Sequence, residues 1–244
     1  MSIDQQQLAE NEELYALFKD LRVTDVNDGL DYLGLLGTCL MEWQIRPLWR
    51  DGEKLRHRIC GFAHTARYIP CNKVIDVPKD LESYRHWKGC WYRDYAPGPL
   101  GPFVPHAILV IDGEGTGDCG FIGSNNAQQW INKGAIGIVT NGGCRDTDEL
   151  IMQGIPVYHK RFSRGTRPRR IELDAEGVPV TCGGVHVTPG DIIVADNDGV
   201  VVVPREHART VAEYARIEAN YDRNTRRRLY KEAGMELDFT TEEI

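Results

Sequence analysis

Arg145 and Asp146 stand side by side in the stretch GGCRDTDEL at 142–150, directly after the apolar run AIGIVT at 135–140. A carboxylate beside a guanidinium on a glycine turn at the mouth of a strand suits chemistry on an oxyanion. Asp146 is an oxygen ligand of the kind Mg²⁺ or Mn²⁺ takes, since such hard ions bind one or two carboxylates and keep several waters. Arg145 offers a planar fork that matches a carboxylate or keto group better than lysine does. The plainer alternative is a surface turn in which Asp146 caps a helix beginning near Thr147. A second candidate is GSNN at 123–126, at a helix start. Free N–H groups and the positive end of the helix dipole would bind an organic carboxylate as readily as a phosphate. Simple N-capping by Ser124 is the competing explanation.

These residues need elements that bring them together. From His106 onward the pattern reads strand 107–111, glycine-rich turn 112–123, helix 124–133 and strand 135–140, a βαβ unit. Its crossover places Gly123, Ser124, Asn125 and Asn126 at the sheet edge where the second strand ends, beside Arg145 and Asp146. GTGDCG at 115–120 matches a dinucleotide fingerprint in letters only, because the helix begins after Gly123 and the second strand ends in Thr140 and Asn141 rather than an acid. Upstream, apolar positions Leu8, Leu14, Leu17, Phe18 and Leu21 give one helix, capping oxygens from Thr24 to Asp28 start another through Leu36, and 61–69 alternates as a strand. Residues 70–105 are rich in proline and aromatics without a sustained period, which predicts a long aromatic loop or insertion. Short β-like runs at 156–158, 178–180, 184–187, 191–194 and 200–203 predict an all-β second layer, and Pro204 opens a polar helix to about Ala233.

Composition narrows the function. At 244 residues and 41% hydrophobic, the chain fits one domain over 1–244, with the insertion at about 70–105 and a helical extension at about 204–234. A net charge of −7 disfavours nucleic acid as a partner, and the run Arg226 to Arg228 is flanked by acids, as on a solvated or subunit-contacting helix face. The seven cysteines are spread without a C-x-x-C pair, so reduced thiols in the cytoplasm are expected. No apolar run reaches membrane-spanning length. His64, His106 and His186 sit in strand-like runs and read as packed imidazoles. No serine elbow, Walker loop or H-E-x-x-H pair is present.

The ordered set VTDVND at 23–28, GFAHT at 61–65, LVIDG at 109–113, GAIGIV at 134–139, GGCRD at 142–146, GGVHVTPGD at 183–191 and ADNDGV at 195–200 resembles the family of the 4-hydroxy-4-methyl-2-oxoglutarate aldolases and the regulator of ribonuclease activity A. The resemblance implies an α/β fold with a swivelling β/β/α-type sandwich core, N-terminal helices and a long C-terminal helix. It also implies homotrimers or homohexamers with active sites between subunits. Its aldolases are class II enzymes, in which Asp146 would hold Mg²⁺ or Mn²⁺, Arg145 would contact the pyruvyl part of a small 2-oxo acid, and the amides of Gly123, Ser124, Asn125 and Asn126 would receive the substrate carboxylate. Glu218, from a neighbouring chain's C-terminal helix, is the candidate carboxylate for the water network around the metal. The activity so implied is a lyase, by retro-aldol cleavage of a 4-hydroxy-2-oxo acid or decarboxylation of an oxaloacetate-like one. A non-catalytic regulator that binds another protein is the alternative within the same family. Two departures stand out: Ser124 occupies a position usually acidic in the aldolases, and residues 70–105 exceed the compact family pattern.

Overall fold

A computed structural model describes residues 5–74, 76–99 and 101–244. Two helices open the chain, α1 (Gln5–Phe18) and α2 (Val23–Tyr32). The first buries Asn11, Leu14 and Phe18, at the three- and four-residue spacing of one helical face. The second starts one residue before Thr24: Arg22 is its N-cap, and the Asp25 carboxylate accepts from the Arg22 backbone N–H at 2.8 Å. It stops at Tyr32 rather than Leu36, where Gly34 turns the chain with a φ of 79°.

The strands are β1 (Arg46–Pro47), β2 (Ile59–Pro70), β3 (Ala107–Asp112), β4 (Gly120–Ile122), β5 (Ala135–Cys144), β6 (Val157–Phe162), β7 (Ile171–Glu176), β8 (Val180–Cys182), β9 (Val185–Val187), β10 (Ile192–Asp196) and β11 (Gly199–Val203). One sheet runs β1-β6-β5-β3-β2-β10-β11, with β4 on β5 and β7 on the far half of β2. Strands β2, β3, β5 and β6 are parallel, whereas β1, β7, β10 and β11 pair antiparallel. The expected all-β second layer holds only for the small hairpin β8–β9, which forms a sheet of its own, whereas β6, β10 and β11 belong to the main sheet. The pattern misled because the apolar runs of β10 and β11, buried at every position, read alike whether they pair with each other alone or also with a distant strand. The sheet nearly closes, with Leu40 bridging Val201 and the Arg46 guanidinium donating to Asn197 O at 3.1 Å and Asp198 O at 2.9 Å.

Alternation along the strands sends side chains to two cores. Ile108 and Val110 of β3 face the enclosed side with Val139, Tyr158 and the β8–β9 hairpin. Leu109 and Ile111 face outward toward α4 (Ser124–Asn132) and α5 (Thr147–Met152). A third cluster packs α1, α2 and α6 (Ala208–Ala233) on β10 and β11. The C-terminal helix follows a 3₁₀ turn at Arg205–His207, so it begins four residues after Pro204 and ends at Ala233 with Gly234 left-handed.

The insertion is not a loop throughout. Residues 81–94 form α3 (Leu81–Asp94), capped by Asp80, whose carboxylate accepts from Ser83 N at 2.9 Å. Tyr84, Trp87, Trp91 and Tyr95 repeat at helical spacing, and their successive ring centroids lie 5.6, 5.9 and 4.7 Å apart. Proline and glycine on either side obscure that period in a longer window. Among the described residues no helix is long and apolar enough to cross a membrane. All seven cysteines are free.

Candidate functional site

Because β3 and β5 are parallel and α4 crosses between them, the start of α4 and the end of β5 reach one edge of the sheet. There Ser124 N donates to Asp146 Oδ2 at 3.3 Å, and Arg145 Nε lies 3.6 Å from Asp146 Oδ1. A cavity of about 620 Å³ opens over the pair, lined also by Gly120, Gly123, Asn125, Asn126 and Gln129. The first helical turn leaves the amides of Asn125 and Asn126 without intrahelical acceptors.

Asp146 occupies the cap position of α5 but does not cap it. Its backbone is left-handed, with φ 54° and ψ 42°, and its side chain makes no cap bond. The backbone carbonyl starts the helix by accepting from Leu150 N at 3.1 Å. The turn-and-cap alternative therefore fails: the carboxylate points across to Gly123, where an added Cβ would stand 2.7 Å from Oδ2. A non-glycine residue in this backbone region costs free energy, and such outliers concentrate at functional sites. Gly123, not Ser124, is the N-cap of α4, so capping by Ser124 also fails.

The glycines before Arg145 do not form the expected turn. Gly142 and Gly143 continue β5, and their missing side chains admit β4 and its flanks: an added Cβ would meet the Phe121 ring at 2.4 Å or Cys119 O at 2.4 Å. Gly120 has the more direct effect on the pair, since the Arg145 stem crosses it with Cβ, Cγ and Cδ 2.7 to 3.0 Å from where a Cβ would be. That loop is held by Gly120 N donating to Gly165 O at 2.9 Å and by Arg164 N and its guanidinium donating to Asp118.

The residues fit a hard divalent cation of the kind that keeps most of its water. Asp146 presents oxygens with one long amide bond and one loose ion pair, and its side chain is 37% exposed. Among the described residues that line the cavity Asp146 is the one carboxylate, so this chain would contribute a single carboxylate there. Burial pushes the Cys144 thiol up to about 12, and the Asp146 charge adds to it. Cys119 is pushed up to about 11 by burial. Both remain neutral thiols, poor ligands and poor nucleophiles.

Arg145, Asp146, Gly123, Asn125 and Asn126 thus line one cavity, with Ser124 touching Asp146 from below. Glu218 is not brought there within the chain. It sits on α6 facing α2, where it and Asp25 raise the Asp28 carboxyl, whose burial is the larger cause. Sequence reasoning missed Tyr92, Arg93, Pro97 and Gly98, which wall the cavity from the insertion, and Arg167. Arg167 lies in the basic string SRGTRPRR at 163–170 and is 4% exposed. Local composition carries no sign of which of its arginines turns inward.

The family profile described as RraA-like, Aldolase/RraA, matches residues 23–202. Protein DlpA of Legionella pneumophila is 27% identical over 187 residues, 77% of this chain and 27% of that protein. An Arabidopsis thaliana protein named "Putative 4-hydroxy-4-methyl-2-oxoglutarate aldolase 2" is 36% identical over 95 residues, 39% of this chain and 57% of its own length. The matches to these curated relatives thus span less than two thirds of their length. Among solved structures, an uncharacterized protein from Pseudomonas syringae pv. tomato has a TM-score of 0.68 at 23% identity, covering 95% of this chain and 98% of its own. Streptomyces coelicolor RraAS2, described as an unusual member of the RNase ES inhibitor RraA protein family, has a TM-score of 0.66 at 25% identity, covering 88% and 98%.

Proposed function

The chain belongs to the RraA-like family, Aldolase/RraA, and from that premise we propose that it is a divalent-metal-dependent lyase that breaks the carbon–carbon bond beside a 2-oxo acid unit. The observation that carries this reading is the Asp146 carboxylate, turned away from its helix cap and held over Gly123 beside Arg145. Leu55, His106 and Arg169 share that left-handed backbone, so what favours an enzyme over a regulator that uses only its outer surface is the exposed carboxylate set beside Arg145 over a cavity.

In this reading the substrate is a 4-hydroxy-2-oxo acid or an oxaloacetate-like acid. Its carboxylate rests on the first-turn amides of α4, at Asn125 and Asn126, where the helix dipole favours negative charge. Asp146 holds Mg²⁺ or Mn²⁺, which when bound supplies Lewis acidity at the keto acid. Arg145 stands where charge develops on the keto oxygen as the bond between C3 and C4 breaks. The bonding electron pair stays with the 2-oxo acid half, a carbonyl forms at C4, and protonation at C3 gives pyruvate. In decarboxylation the same pair stays behind as CO₂ leaves.

The proton of the 4-hydroxyl needs an acceptor. Among the described residues lining the cavity, Asp146 is the sole carboxylate and there is no histidine. The proton therefore leaves through water ordered by a carboxylate, for which Glu218 of a neighbouring copy in a trimer or hexamer is our candidate.

The test is pyruvate release from oxaloacetate and from 4-hydroxy-2-oxo acids with Mg²⁺ or Mn²⁺, with EDTA, and with Asp146→Ala. We expect turnover with metal and a loss of at least about a hundredfold for Asp146→Ala or Arg145→Ala, as for removal of one well-placed charge-stabilising group. Equal rates in all conditions, or no turnover with any, would overturn the reading and leave a protein-binding regulator.

A further inference from the structure

Away from the cavity, α3 brings a histidine and a thiol into contact. His86 and Cys90 stand four residues apart, and Cys90 Sγ lies 3.5 Å from His86 Nε2. Four residues is about one helical turn, so the two side chains share a face. It is the face turned away from the buried Trp91, with His86 exposed and Cys90 half-buried. The other thiols are placed differently. Cys39, Cys60, Cys119, Cys144 and Cys182 are buried, and Cys71 accepts from Lys73 N at 3.4 Å with Glu172 beside it.

A thiol–imidazole hydrogen bond on a solvent face is worth little, because water competes for both partners. The same two atoms also make half of a coordination shell. A tetrahedral ion with Zn–S of about 2.3 Å and Zn–N of about 2.0 Å sets its sulfur and nitrogen ligands about 3.5 Å apart. The observed separation is already that of two ligands of one ion. One-turn spacing on a helix is likewise that of the two metal-binding histidines in H-E-x-x-H. Donor chemistry selects the ion: thiolate with imidazole suits Zn²⁺ and its neighbours, whereas Mg²⁺ and Mn²⁺ take oxygen. Among the described residues no third His, Cys, Asp or Glu side chain joins the pair. Asp94, one turn further on, is held by Arg93 at 2.7 and 2.8 Å. Water therefore completes the shell.

We infer that His86 and Cys90 bind a borderline-soft divalent ion, with Zn²⁺ the best match, at a site separate from Asp146 and different in the metals it accepts. The thiol proton passes to solvent as the ion binds. The insertion then has two roles, since the helix that sends Tyr92 and Arg93 to the cavity wall presents this pair to solvent. The site stands whether or not the cavity is a lyase site.

Co²⁺ is the probe, because a thiolate bound to it gives a charge-transfer absorption that oxygen ligands do not. The reduced full chain, with excess Mg²⁺ to compete for carboxylates, is titrated with Co²⁺. We expect the band to saturate at one ion per chain, to disappear with EDTA and to be displaced by Zn²⁺. Cys90→Ser should abolish it and Cys71→Ser should leave it unchanged. His86→Ala should weaken binding at least about tenfold, since even an outer partner of a metal ligand is worth about 10- to 100-fold. No band in the wild-type protein, a band that survives Cys90→Ser, or equal affinity in His86→Ala would overturn the proposal and leave a plain thiol–imidazole hydrogen bond. Both side chains lie on the solvent face, so the variants should keep the wild-type circular dichroism. Should Cys90→Ser not fold, Cys90→Ala takes its place, and the wild-type titration decides against the proposal by itself if no band forms.

Discussion

Gly123 matters through what it lacks. Its φ of −128° is open to any residue, so glycine is not needed there for backbone reasons. A Cβ would nevertheless stand 2.7 Å from Asp146 Oδ2, too close for both to keep their places. Only the end of a side chain has to yield, so Gly123→Ala should leave the melting temperature within a few degrees of wild type. The carboxylate would move by several tenths of an ångström, and misplacement on the ångström scale costs up to about a hundredfold in rate. We expect kcat/KM for pyruvate release to fall at least about tenfold with the fold intact. Unchanged kinetics would show that the position of Asp146 does not set the rate. The sequence made Arg145, Asp146 and the GSNN stretch legible because each stands at a boundary between strand, turn and helix. It could not show which way Asp146 turns, since a capping aspartate and a presented one share the same letters and only the left-handed backbone separates them.

Secondary structure was legible where period and boundary agreed. The β3-α4-β5 unit follows from alternation, a glycine-rich break and a helix start, and it sets the geometry of the cavity. Strand β7 was not legible: in IELDAE the acids stay partly exposed while only Ile171 is fully buried, so no amphipathic signal arises. Helix α3 was hidden differently, by flanking prolines around a short aromatic ladder. Its two faces divide the work. Trp91, 3% exposed, anchors the helix among Ala66, Tyr68 and Ala96, while Tyr92 and Arg93 face the cavity. Trp91→Ala removes the anchor and should cost about 3–5 kcal/mol in urea unfolding, the range for truncating a buried tryptophan. A loss below about 1 kcal/mol would mean that α3 rests on the surface instead of forming part of the core.

On the proposed mechanism, the proton path is incomplete within a single copy of this chain. The cavity walls offer Asp146 as their one carboxylate among the described residues, while Glu218 lies on α6 beside Asp28 and faces α2. If Glu218 serves the reaction, it serves another copy's cavity. Large apolar side chains are exposed on two parts of the surface. Phe162 is 71% exposed and Met152 86% exposed near the Asp146 end, and Tyr32, Ile217 and Tyr221 are exposed on α2 and α6. Closed homo-oligomers bring one such surface against another by symmetry. A mixing experiment reads the arrangement directly. Asp146→Ala and Glu218→Gln should each be far less active than wild type as homo-oligomers, because every site lacks one partner. Unfolded and refolded together in equal amounts, they should recover about a quarter of wild-type pyruvate release, the share of interfaces in a random ring that join an intact Asp146 to an intact Glu218. A chain that carried both residues into its own site would recover nothing on mixing, and full activity in Glu218→Gln would remove that residue from the mechanism while leaving Asp146 in place.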